Sequence, residues 1–323
     1  PQVHLVDMLG DQEESGKFGQ IISGLLQDKI EDRLQKKEQI ILLQNRRGYS
    51  PVVRCGDCGD IVMCPQCKVA LTYHRRGSQL ICHCCGHFET KQREACRSCQ
   101  SPNMKYSGTG TQRVESLIEE TFPDARLGRL DMDTARTGSG LTKILKDFSD
   151  GKLDILLGTQ MIAKGLDFPN ATLVGIINAD LGLHLPDFRA GERIFQLIYQ
   201  ASGRAGRRLK PGEVVIQTYV PDNPVIKNAA KLDMMKYYNI ALSERNELKY
   251  PPFSWLAKIE ITGQNQTSAN SLSERIAKAL KGKYKGLDVL GPSSCYLEKL
   301  RNNYRFQIVF KSLKKVDPNG QKL

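Results

Sequence analysis

The chain has 323 residues, of which 40% are hydrophobic and 25% are charged, and its formal net charge at pH 7 is +12. This composition excludes disorder or coiled coil as a description of the whole chain, and the length suffices for two or three domains. No run approaches the roughly 18 consecutive apolar residues of a membrane helix, and the start lacks a signal-peptide pattern, so we expect a soluble, intracellular protein without a membrane partner. The positive charge favours a polyanionic partner such as nucleic acid, although charge alone is weak support.

The first 53 residues combine strand and helix patterns. A short apolar run at 3–6 predicts a strand, and apolar residues at helical spacing predict an amphipathic helix over 20–37. A second apolar strand at 39–43 ends in a polar turn at 45–49. Ligands of open α/β sheets bind at the carboxyl ends of strands, so this turn is a candidate binding segment.

Nine of the ten cysteines lie between Cys55 and Cys99. Eight of these form four C-x-x-C pairs, which are Cys55/Cys58, Cys64/Cys67, Cys82/Cys85 and Cys96/Cys99. Two such pairs can complete the tetrahedral coordination of one zinc ion, so four pairs predict two ions. A segment this short buries too little apolar surface to fold alone, and metal binding would supply much of its folding free energy.

The four pairs can be combined in more than one way. The two inner pairs are separated by fourteen residues, which is close to zinc-ribbon spacing, and the residues between them predict a short hairpin. This favours a nested arrangement, in which the inner pairs hold one ion and the outer pairs hold the other. A crossed arrangement, first pair with third and second with fourth, remains open, as do a disulfide framework and a redox role. Cys84 is a spare thiol, and the nearby His83 and His87 could substitute as ligands.

Beyond the cysteines the alternation of strands and helices resumes. Helix patterns occur at 115–122, 141–148 and 196–204, and strand patterns occur at 125–130, 153–157, 173–177 and 213–219. This predicts a parallel sheet with helices on both faces, into which the cysteine segment is inserted. After a break at 220–224, helices at 225–248 and 268–280 and strands at 255–262 and 304–310 predict a small α+β unit. We therefore expect one domain at 1–53 with 104–220, a zinc module at 54–103 and a third domain at 221–323.

Two segments of the α/β part carry residues that suit a nucleotide. Arg204 and Arg207 stand three residues apart on what is predicted to be one face of a helix, and two guanidinium groups at that spacing can grip a phosphate. The segment 158–168 follows a buried strand and contains Lys164, Gly165 and Asp167. The chain contains no G-x-x-x-x-G-K-[ST] phosphate loop. These segments are therefore similar to one half of a nucleotide-driven motor.

The motifs resemble the second motor lobe of superfamily 2 helicases and, more narrowly, the carboxyl-terminal half of the PriA family of primosomal replication-restart helicases. The matching residues follow the family's order over about two hundred residues. They are Asn45-Arg-Arg-Gly-Tyr, the four C-x-x-C pairs, Gly108-Thr-Gly-Thr-Gln with Glu115, Asp131-Met-Asp-Thr, the segment 158–169, Asp180-Leu-Gly-Leu with Pro186-Asp-Phe-Arg, and Gln200-Ala-Ser-Gly-Arg-Ala-Gly-Arg. The resemblance implies an α/β fold, namely a RecA-like parallel-sheet lobe 2 with an inserted two-zinc cysteine module and a small α+β C-terminal domain.

The resemblance implies an ATP-dependent 3′ to 5′ DNA helicase that recognises stalled or forked DNA and restarts replication by primosome assembly. ATP and Mg²⁺ would bind together with a first lobe that is missing from this chain, so we expect no ATP hydrolysis from the chain alone. The implied partners are forked and single-stranded DNA, single-strand binding protein and primosome loading proteins, in the bacterial cytoplasm at the nucleoid. The alternative is a non-enzymatic, zinc-dependent scaffold that binds DNA or protein.

The resemblance also assigns roles to single residues. Gly165 and Asp167 would line the nucleotide cleft, and Gln200, Arg204 and Arg207 would face the γ-phosphate, with Arg207 as the arginine finger. Phosphate and base contacts to DNA are expected from Thr109, Thr111, Thr159, Gln160, Lys164, Arg301, Tyr304 and Arg305.

Several of these residues have a structural alternative. The threonines could be helix caps, above all Thr111, four residues before Glu115, and Lys164 could pair with an acid. Arg207 could be a surface arginine at a helix end. The basic and aromatic cluster at 299–306 could be an edge strand with solvated charges and inward aromatic rings. Asp131 and Asp133 suit a strand-to-helix turn better than a metal site, and Cys295 suits a buried apolar position.

Overall fold

The computed structural model describes residues 1–16, 20–44, 52–55, 57, 62–65, 71–74, 79–81, 87–89, 95–107, 111–130, 138–159, 168–181, 183, 187–205 and 211–321. The chain divides into two compact units. The first, here called the α/β unit, comprises Pro1–Tyr49 and Thr109–Tyr238, and the second comprises Ser50–Gly108 and Asn239–Leu323. Among the described residues, none of the helices combines the length and the hydropathy that a bilayer crossing requires.

The elements are numbered in chain order. The strands are β1 (Gln2–Asp7), β2 (Gln39–Leu43), β3 (Val52–Cys55), β4 (Thr72–His74), β5 (Gln79–Ile81), β6 (Phe88–Glu89), β7 (Met104–Ser107), β8 (Leu127–Leu130), β9 (Ile155–Gly158), β10 (Ala171–Ile176), β11 (Glu213–Thr218), β12 (Ser254–Gly263), β13 (Leu287–Leu300) and β14 (Asn303–Leu313). The helices are α1 (Met8–Ser15), α2 (Gly24–Gln35), α3 (Thr111–Thr121), α4 (Gly138–Ser149), α5 (Ala190–Ser202), α6 (Pro224–Ala230), α7 (Met234–Glu247) and α8 (Gln266–Leu280).

The α/β unit contains a six-stranded sheet in the order β1-β11-β10-β2-β9-β8. Every pairing in this sheet is parallel, as predicted. Strands β2, β9 and β10 are buried along their whole length, which is why they read as continuous apolar runs rather than as alternating ones. The predicted fold class, a parallel α/β sheet interrupted by a cysteine-rich insertion, is confirmed.

Helices α2 and α3 cover the core of this sheet. Leu26 and Ile30 of α2 and Val114 and Ile118 of α3 are fully buried against the central strands. Helix α2 begins at Gly24, later than predicted, because Ser23 is its N-cap: the Ser23 Oγ accepts a hydrogen bond from the Leu26 backbone N–H at 3.3 Å. The apolar Ile21 and Ile22 before it lie in a bend and are buried.

The helix predicted over 225–248 is divided into α6 and α7. Helix α6 ends at Ala230, and Leu232 adopts a left-handed conformation with φ 54°. Helix α7 then begins at Met234, and the Asp233 side chain accepts a hydrogen bond from the Lys236 backbone N–H at 2.9 Å. Apolar residues occur on both sides of the break, so the sequence pattern alone did not reveal it.

The described part of the segment 52–107, here called the Cys-rich module, forms a five-stranded antiparallel sheet in the order β6-β5-β4-β3-β7. The predicted hairpin between the inner cysteine pairs is present as β4 and β5. Strands β3 and β7 were not predicted. They pair with Val52 opposite Ser107 and Cys55 opposite Met104, so the start and the end of the module lie side by side.

The C-terminal domain of the second unit, residues 239–321, is built on the antiparallel sheet β12-β14-β13. Helix α8 covers one face, and Ala277 of this helix packs with Ile261, Ile308 and Phe310 of the sheet. Strands β12 and β14 were predicted. The long strand β13 was missed, because Gly291, Pro292 and two serines interrupt its alternation and its pairing with β14 shifts register there.

A network of charged groups lies at the amino-terminal end of the α/β sheet. The Glu213 carboxylate on β11 pairs with His4 at 2.8 Å and with Lys29 at 2.6 Å, and it also accepts a hydrogen bond from Arg33. Burial raises the pKa of Glu213, but the hydrogen bonds from Lys29, His4 and Arg33 outweigh it and lower this pKa to about 2. The network joins β1, β11 and α2.

Candidate metal centre and motor-lobe site

Three cysteines of the Cys-rich module converge. The Sγ atoms of Cys55, Cys96 and Cys99 all lie within 4.8 Å of one another, and the Cys55 and Cys99 sulfurs are 3.5 Å apart. That separation is too long for a disulfide bond, which is about 2.05 Å. Around a tetrahedral zinc ion with sulfur at about 2.3 Å, the sulfurs stand about 3.8 Å apart, so the three thiols fit one zinc ion.

The local structure explains why these thiols meet. Cys55 ends strand β3, and Cys96 and Cys99 lie in the turn that precedes β7, the strand paired with β3. Backbone N–H groups two residues farther along the chain donate to two of the sulfurs: Asp57 to Cys55 and Ser98 to Cys96, each at 3.4 Å. Such N–H groups are placed to hydrogen-bond the sulfur of a metal-bound cysteine and to orient it.

Asp57 connects the two halves of this site by hydrogen bonds, a role that was not predicted from the sequence. One carboxylate oxygen accepts a hydrogen bond from the Asn103 side-chain amide at 2.7 Å, and the other accepts from the Ser101 hydroxyl. Asp57 therefore ties the loop after β3 to the residues that follow Cys99. Its position inside the first C-x-x-C pair was the available signal, since residues between ligands commonly orient them.

Of the other five predicted zinc ligands, only Cys64 lies within the described residues. Cys64 is buried, at 1% exposure, and lies in the apolar core of the module. Cys58, Cys67, Cys82, Cys85, the spare Cys84 and His83 lie outside the described residues. His87 is described, and its Nε2 lies 3.8 Å from Glu89. Among the described residues, Cys55 thus lies with the fourth cysteine pair, which is the combination that the nested arrangement predicts.

Many of the predicted nucleotide and DNA contacts lie outside the described residues. These are Thr109, Gln160, Lys164, Gly165, Asp167 and Arg207, together with the turn at 45–49 and the pair Asp131 and Asp133. Thr159 follows strand β9 at its carboxyl end, where the sequence analysis placed it. It is only 9% exposed.

Thr111 does not fit the predicted DNA contact. It is the first residue of α3 and is fully buried, so its hydroxyl does not reach solvent. A buried hydroxyl at the start of a helix suits the structural alternative, in which it serves the helix terminus. Thr159 is nearly as buried, and its DNA contact stays a prediction.

The helix that carries the predicted phosphate-gripping residues is α5. Gln200 lies in its last turn and is exposed. We predicted that Arg204 also lies on the helix, but α5 ends at Ser202, with Gly203 as its cap. The Arg204 backbone N–H donates to the carbonyl oxygen of Ala201 at 2.9 Å, a tighter turn than that of an α-helix. Glycine favours this change because its helix propensity is low, so the prediction of a helical face is wrong for Arg204.

Acidic groups fix both ends of the segment before α5. Asp180 accepts a hydrogen bond from the Tyr219 backbone N–H at 2.8 Å and another from the Thr218 hydroxyl, which joins the ends of β10 and β11. Asp187 pairs with Arg189 at 3.1 Å and with Arg193 at 2.7 Å at the start of α5. Burial raises the pKa of Asp187, but its hydrogen bonds from Arg189 and the charges of both arginines lower it overall.

The basic and aromatic cluster of the C-terminal domain is divided between surface and interior. Arg301 lies at the turn between β13 and β14 and is exposed, and Tyr304 is partly buried. Arg305 instead forms two hydrogen bonds with the Glu260 carboxylate, at 2.7 and 2.8 Å, and its hydrogen bond lowers the pKa of Glu260. Phe306 is buried. The guanidinium of Arg305 is thus held in an ion pair with Glu260, and its DNA contact stays a prediction.

Family models match three successive parts of the chain. Residues 64–89 match the PriA DNA helicase Cys-rich region domain, residues 107–208 match the helicase conserved C-terminal domain, and residues 246–321 match the primosomal protein N C-terminal domain. The Cys-rich match and the thiol cluster together support zinc binding.

Proteins named replication restart protein PriA are similar to nearly the whole chain. The protein from Bacillus subtilis (strain 168) is 44% identical over 313 residues, which is 96% of this chain and 38% of that protein. The protein from Treponema pallidum (strain Nichols) is 38% identical over 313 residues, 97% of this chain and 46% of that protein. The chain thus spans about two fifths of the length of the first of these relatives.

Similarity to solved structures is distant. The structure of the C-terminal domain of the DEAD-box protein Dbp5 is 17% identical, covers 42% of this chain and 78% of that chain, and gives a TM-score of 0.29. The fold is instead established by the parallel sheet and by the match to the helicase conserved C-terminal domain.

Proposed function

We propose that this chain, which belongs to the PriA family and corresponds to the carboxyl-terminal part of its members, supplies the second motor lobe of an ATP-dependent 3′ to 5′ DNA helicase. The helicase recognises stalled or forked DNA and restarts replication by primosome assembly. The observation that carries the proposal is the 44% identity to the Bacillus subtilis replication restart protein across 96% of this chain. The parallel sheet and the match to the helicase C-terminal domain support the motor role.

In this proposal ATP and Mg²⁺ bind together with a first lobe that carries a phosphate loop, since the chain itself contains no such motif. Gln200, Arg204 and Arg207 face the γ-phosphate, and Gly165 and Asp167 line the nucleotide cleft. Arg207 is the arginine finger, which stabilises negative charge on the transferring phosphoryl group. The exposed Gln200 and the turn that brings Arg204 out of α5 are consistent with this role.

Replacing Arg207 in the full-length protein tests the motor role. We expect Arg207→Ala to lower DNA-stimulated ATP turnover by about 100-fold or more, since arginine fingers contribute about 10³ to 10⁵ in turnover. DNA affinity should stay the same, because the finger contacts nucleotide. The control is Arg113→Ala, an exposed arginine on α3. Full turnover in Arg207→Ala would refute the assignment, and robust ATPase activity from this chain alone would refute the need for a first lobe.

The proposal includes two zinc ions in the Cys-rich module. Cys55, Cys58, Cys96 and Cys99 hold one ion, and Cys64, Cys67, Cys82 and Cys85 hold the other. The convergence of three thiols from the outer pairs supports the first site. The match of residues 64–89 to a Cys-rich domain supports the second. Each ion would crosslink the segments that hold it rather than supply catalysis, because a site filled by four thiolates has no position for substrate.

Forked and single-stranded DNA are the proposed substrates, with Arg301 and Tyr304 among the contacts. The net charge of +12 supports a polyanionic ligand, and an exposed arginine three residues before a partly buried tyrosine suits phosphate and unpaired bases. Single-strand binding protein and primosome loading proteins are the proposed protein partners, by family membership. We expect the DNA affinity to be tolerant of sequence and to fall steeply with salt.

A further inference from the structure

The hydrophobic core in the described part of the Cys-rich module is small. In the described part of the chain it consists of Val53, Val62, Cys64, Leu71 and Leu80, each at most 4% exposed. A core of this size stabilises an isolated domain poorly, because small domains bury a low fraction of their surface. The module therefore depends on metal ions and on contacts from the rest of the second unit.

One such contact comes from the C-terminal domain. Leu300, the last residue of β13, packs against the core of the module. The adjacent Lys299 places its Nζ 3.5 Å from the carbonyl oxygen of Pro65, which lies between Cys64 and Cys67. The end of the β13–β14 hairpin thus contacts both the apolar core and the backbone of one C-x-x-C pair.

The turn of this hairpin has an unusual residue. Leu300 pairs with Asn303, and the two turn residues Arg301 and Asn302 have φ angles of 48° and 65°. This type I′ geometry favours glycine and asparagine, whereas arginine is strained in the left-handed region. Strained residues persist where their surroundings hold them in place, and they concentrate at functional sites. The exposed guanidinium of Arg301 therefore extends from a residue whose backbone conformation is unfavourable for arginine.

The surroundings of the turn are basic. Lys299, Arg301 and Arg305 lie within seven residues of one another in sequence. Glu260 pairs with Arg305, and the one acid between residues 295 and 305, Glu298, accepts a hydrogen bond from the Gln266 side chain at 3.2 Å. The ammonium group of Lys299 lies 5.0 Å from the centre of the Tyr304 ring. Because Glu260 balances the charge of Arg305, a phosphate group that binds at this turn meets the cations of Arg301 and Lys299, the latter beside the Tyr304 ring.

We propose that Leu300 is a positioning residue: by packing into the core of the Cys-rich module, it holds the Arg301 turn beside Pro65, so that turn and module form one phosphate-binding surface. The inference rests on the proposed function in one respect, namely that nucleic acid is the ligand. Its physical basis is preorganisation. A guanidinium on a fixed turn loses less conformational entropy on binding than one on a mobile turn. Folding of the module around its metal ions thereby controls the DNA affinity of a turn that belongs to another domain.

Leu300→Ala tests the proposal, with Leu290→Ala as the matched control. Leu290 lies on the same strand, but it is 46% exposed, so its truncation leaves the module intact. In Leu300→Ala we expect faster amide exchange in β3 and β4 and faster loss of zinc to a chelator. We also expect about tenfold weaker binding of forked DNA, because a tenfold change in affinity corresponds to the loss of about one charge-assisted contact. Leu290→Ala and the volume-conserving Leu300→Met should match the unaltered chain.

Arg301→Ala separates positioning from packing. It should weaken DNA binding about as much as Leu300→Ala does. The slope of log affinity against log salt concentration should fall by about the value for one phosphate contact, and zinc loss and amide exchange should stay unchanged. Leu300→Ala combined with Arg301→Ala should be no weaker than either alone, because both remove one contact.

Two results would overturn the proposal. The first is Leu300→Ala with unchanged zinc loss and amide exchange, since the packing would then not support the module. The second is a loosened module with unchanged DNA affinity, since Leu300 would then not position Arg301. Absence of DNA binding by the unaltered chain is a different result, because it refutes the DNA-binding role in the proposed function together with this inference.

Discussion

Removal of the Glu213 charge should destabilise the α/β unit in a pH-dependent way. The pKa of Glu213 falls from 4.5 to about 2 in the folded chain, and its side chain is 15% exposed. At about 1.36 kcal/mol per pKa unit, the ionised carboxylate contributes about 3 kcal/mol to the free energy of unfolding. Because the folded pKa is the lower one, this contribution is complete above pH 4.5 and is lost as the pH falls through about 2. Glu213→Gln should therefore lower the free energy of unfolding by about 3 kcal/mol near pH 7, and by about 2 kcal/mol near pH 3.5.

Amide exchange of β1 and β11 measures this difference within the α/β unit, since the single tryptophan, Trp255, lies in the second unit and cannot report on it. The control is Glu31→Gln, which removes an exposed carboxylate from the same helix, α2, that carries Lys29 and Arg33. It should change the free energy of unfolding by less than about 0.5 kcal/mol. A loss below about 1 kcal/mol in Glu213→Gln near pH 7, or a loss that does not shrink with falling pH, would refute the reasoning.

The remaining predictions concern metal content and packing. Metal analysis of the unaltered chain should give two zinc ions, Cys55→Ser should give about one, and Cys295→Ser should keep two, because Cys295 lies in β13 away from the thiol cluster. Two ions in Cys55→Ser would contradict the outer site. Gly175→Ala should lower the free energy of unfolding by about 1–3 kcal/mol, since a Cβ there would come within 2.8 Å of Leu42 and 2.9 Å of Leu26. Gly24→Ala, where the nearest atom is 3.8 Å away in Asp11, should be neutral in the same denaturation assay.

The parallel sheet could be predicted because its physical cause is local. Strands covered on both faces are apolar throughout, and the helices between them repeat with helical spacing, so their alternation is visible in the sequence. The strand order β1-β11-β10-β2-β9-β8 was not predicted, because each crossover could pass to either side. Strand β13 was missed for a different reason: Gly291 and Pro292 interrupt it, and its neighbour β14 rather than its own pattern holds it in the sheet.

In the candidate site, too, local features could be predicted from the sequence and long-range contacts could not. The spacing of the cysteines was sufficient to predict zinc, because two intervening residues allow both thiols of a pair to bind one metal ion. The pairing of Arg305 with Glu260 could not be predicted, since 45 residues separate them and only the register of β12 against β14 brings them together. Arg305 and Arg301 look alike in the sequence, but one is held in the sheet and the other is exposed at a turn.

The pairing of β3 with β7 explains how a metal-dependent module can interrupt a motor lobe. Val52 lies opposite Ser107, so the chain leaves and returns at points about one strand spacing apart, about 5 Å. Strand β2 and helix α3 can therefore be connected through the insertion without a change in the parallel sheet that they build. The same pairing brings Cys55 to the turn that carries Cys96 and Cys99, where Asp57 joins the two sides. One antiparallel pair thus closes the insertion and brings three of its thiols together, so loss of a metal ion bound there should loosen the two ends of the module first.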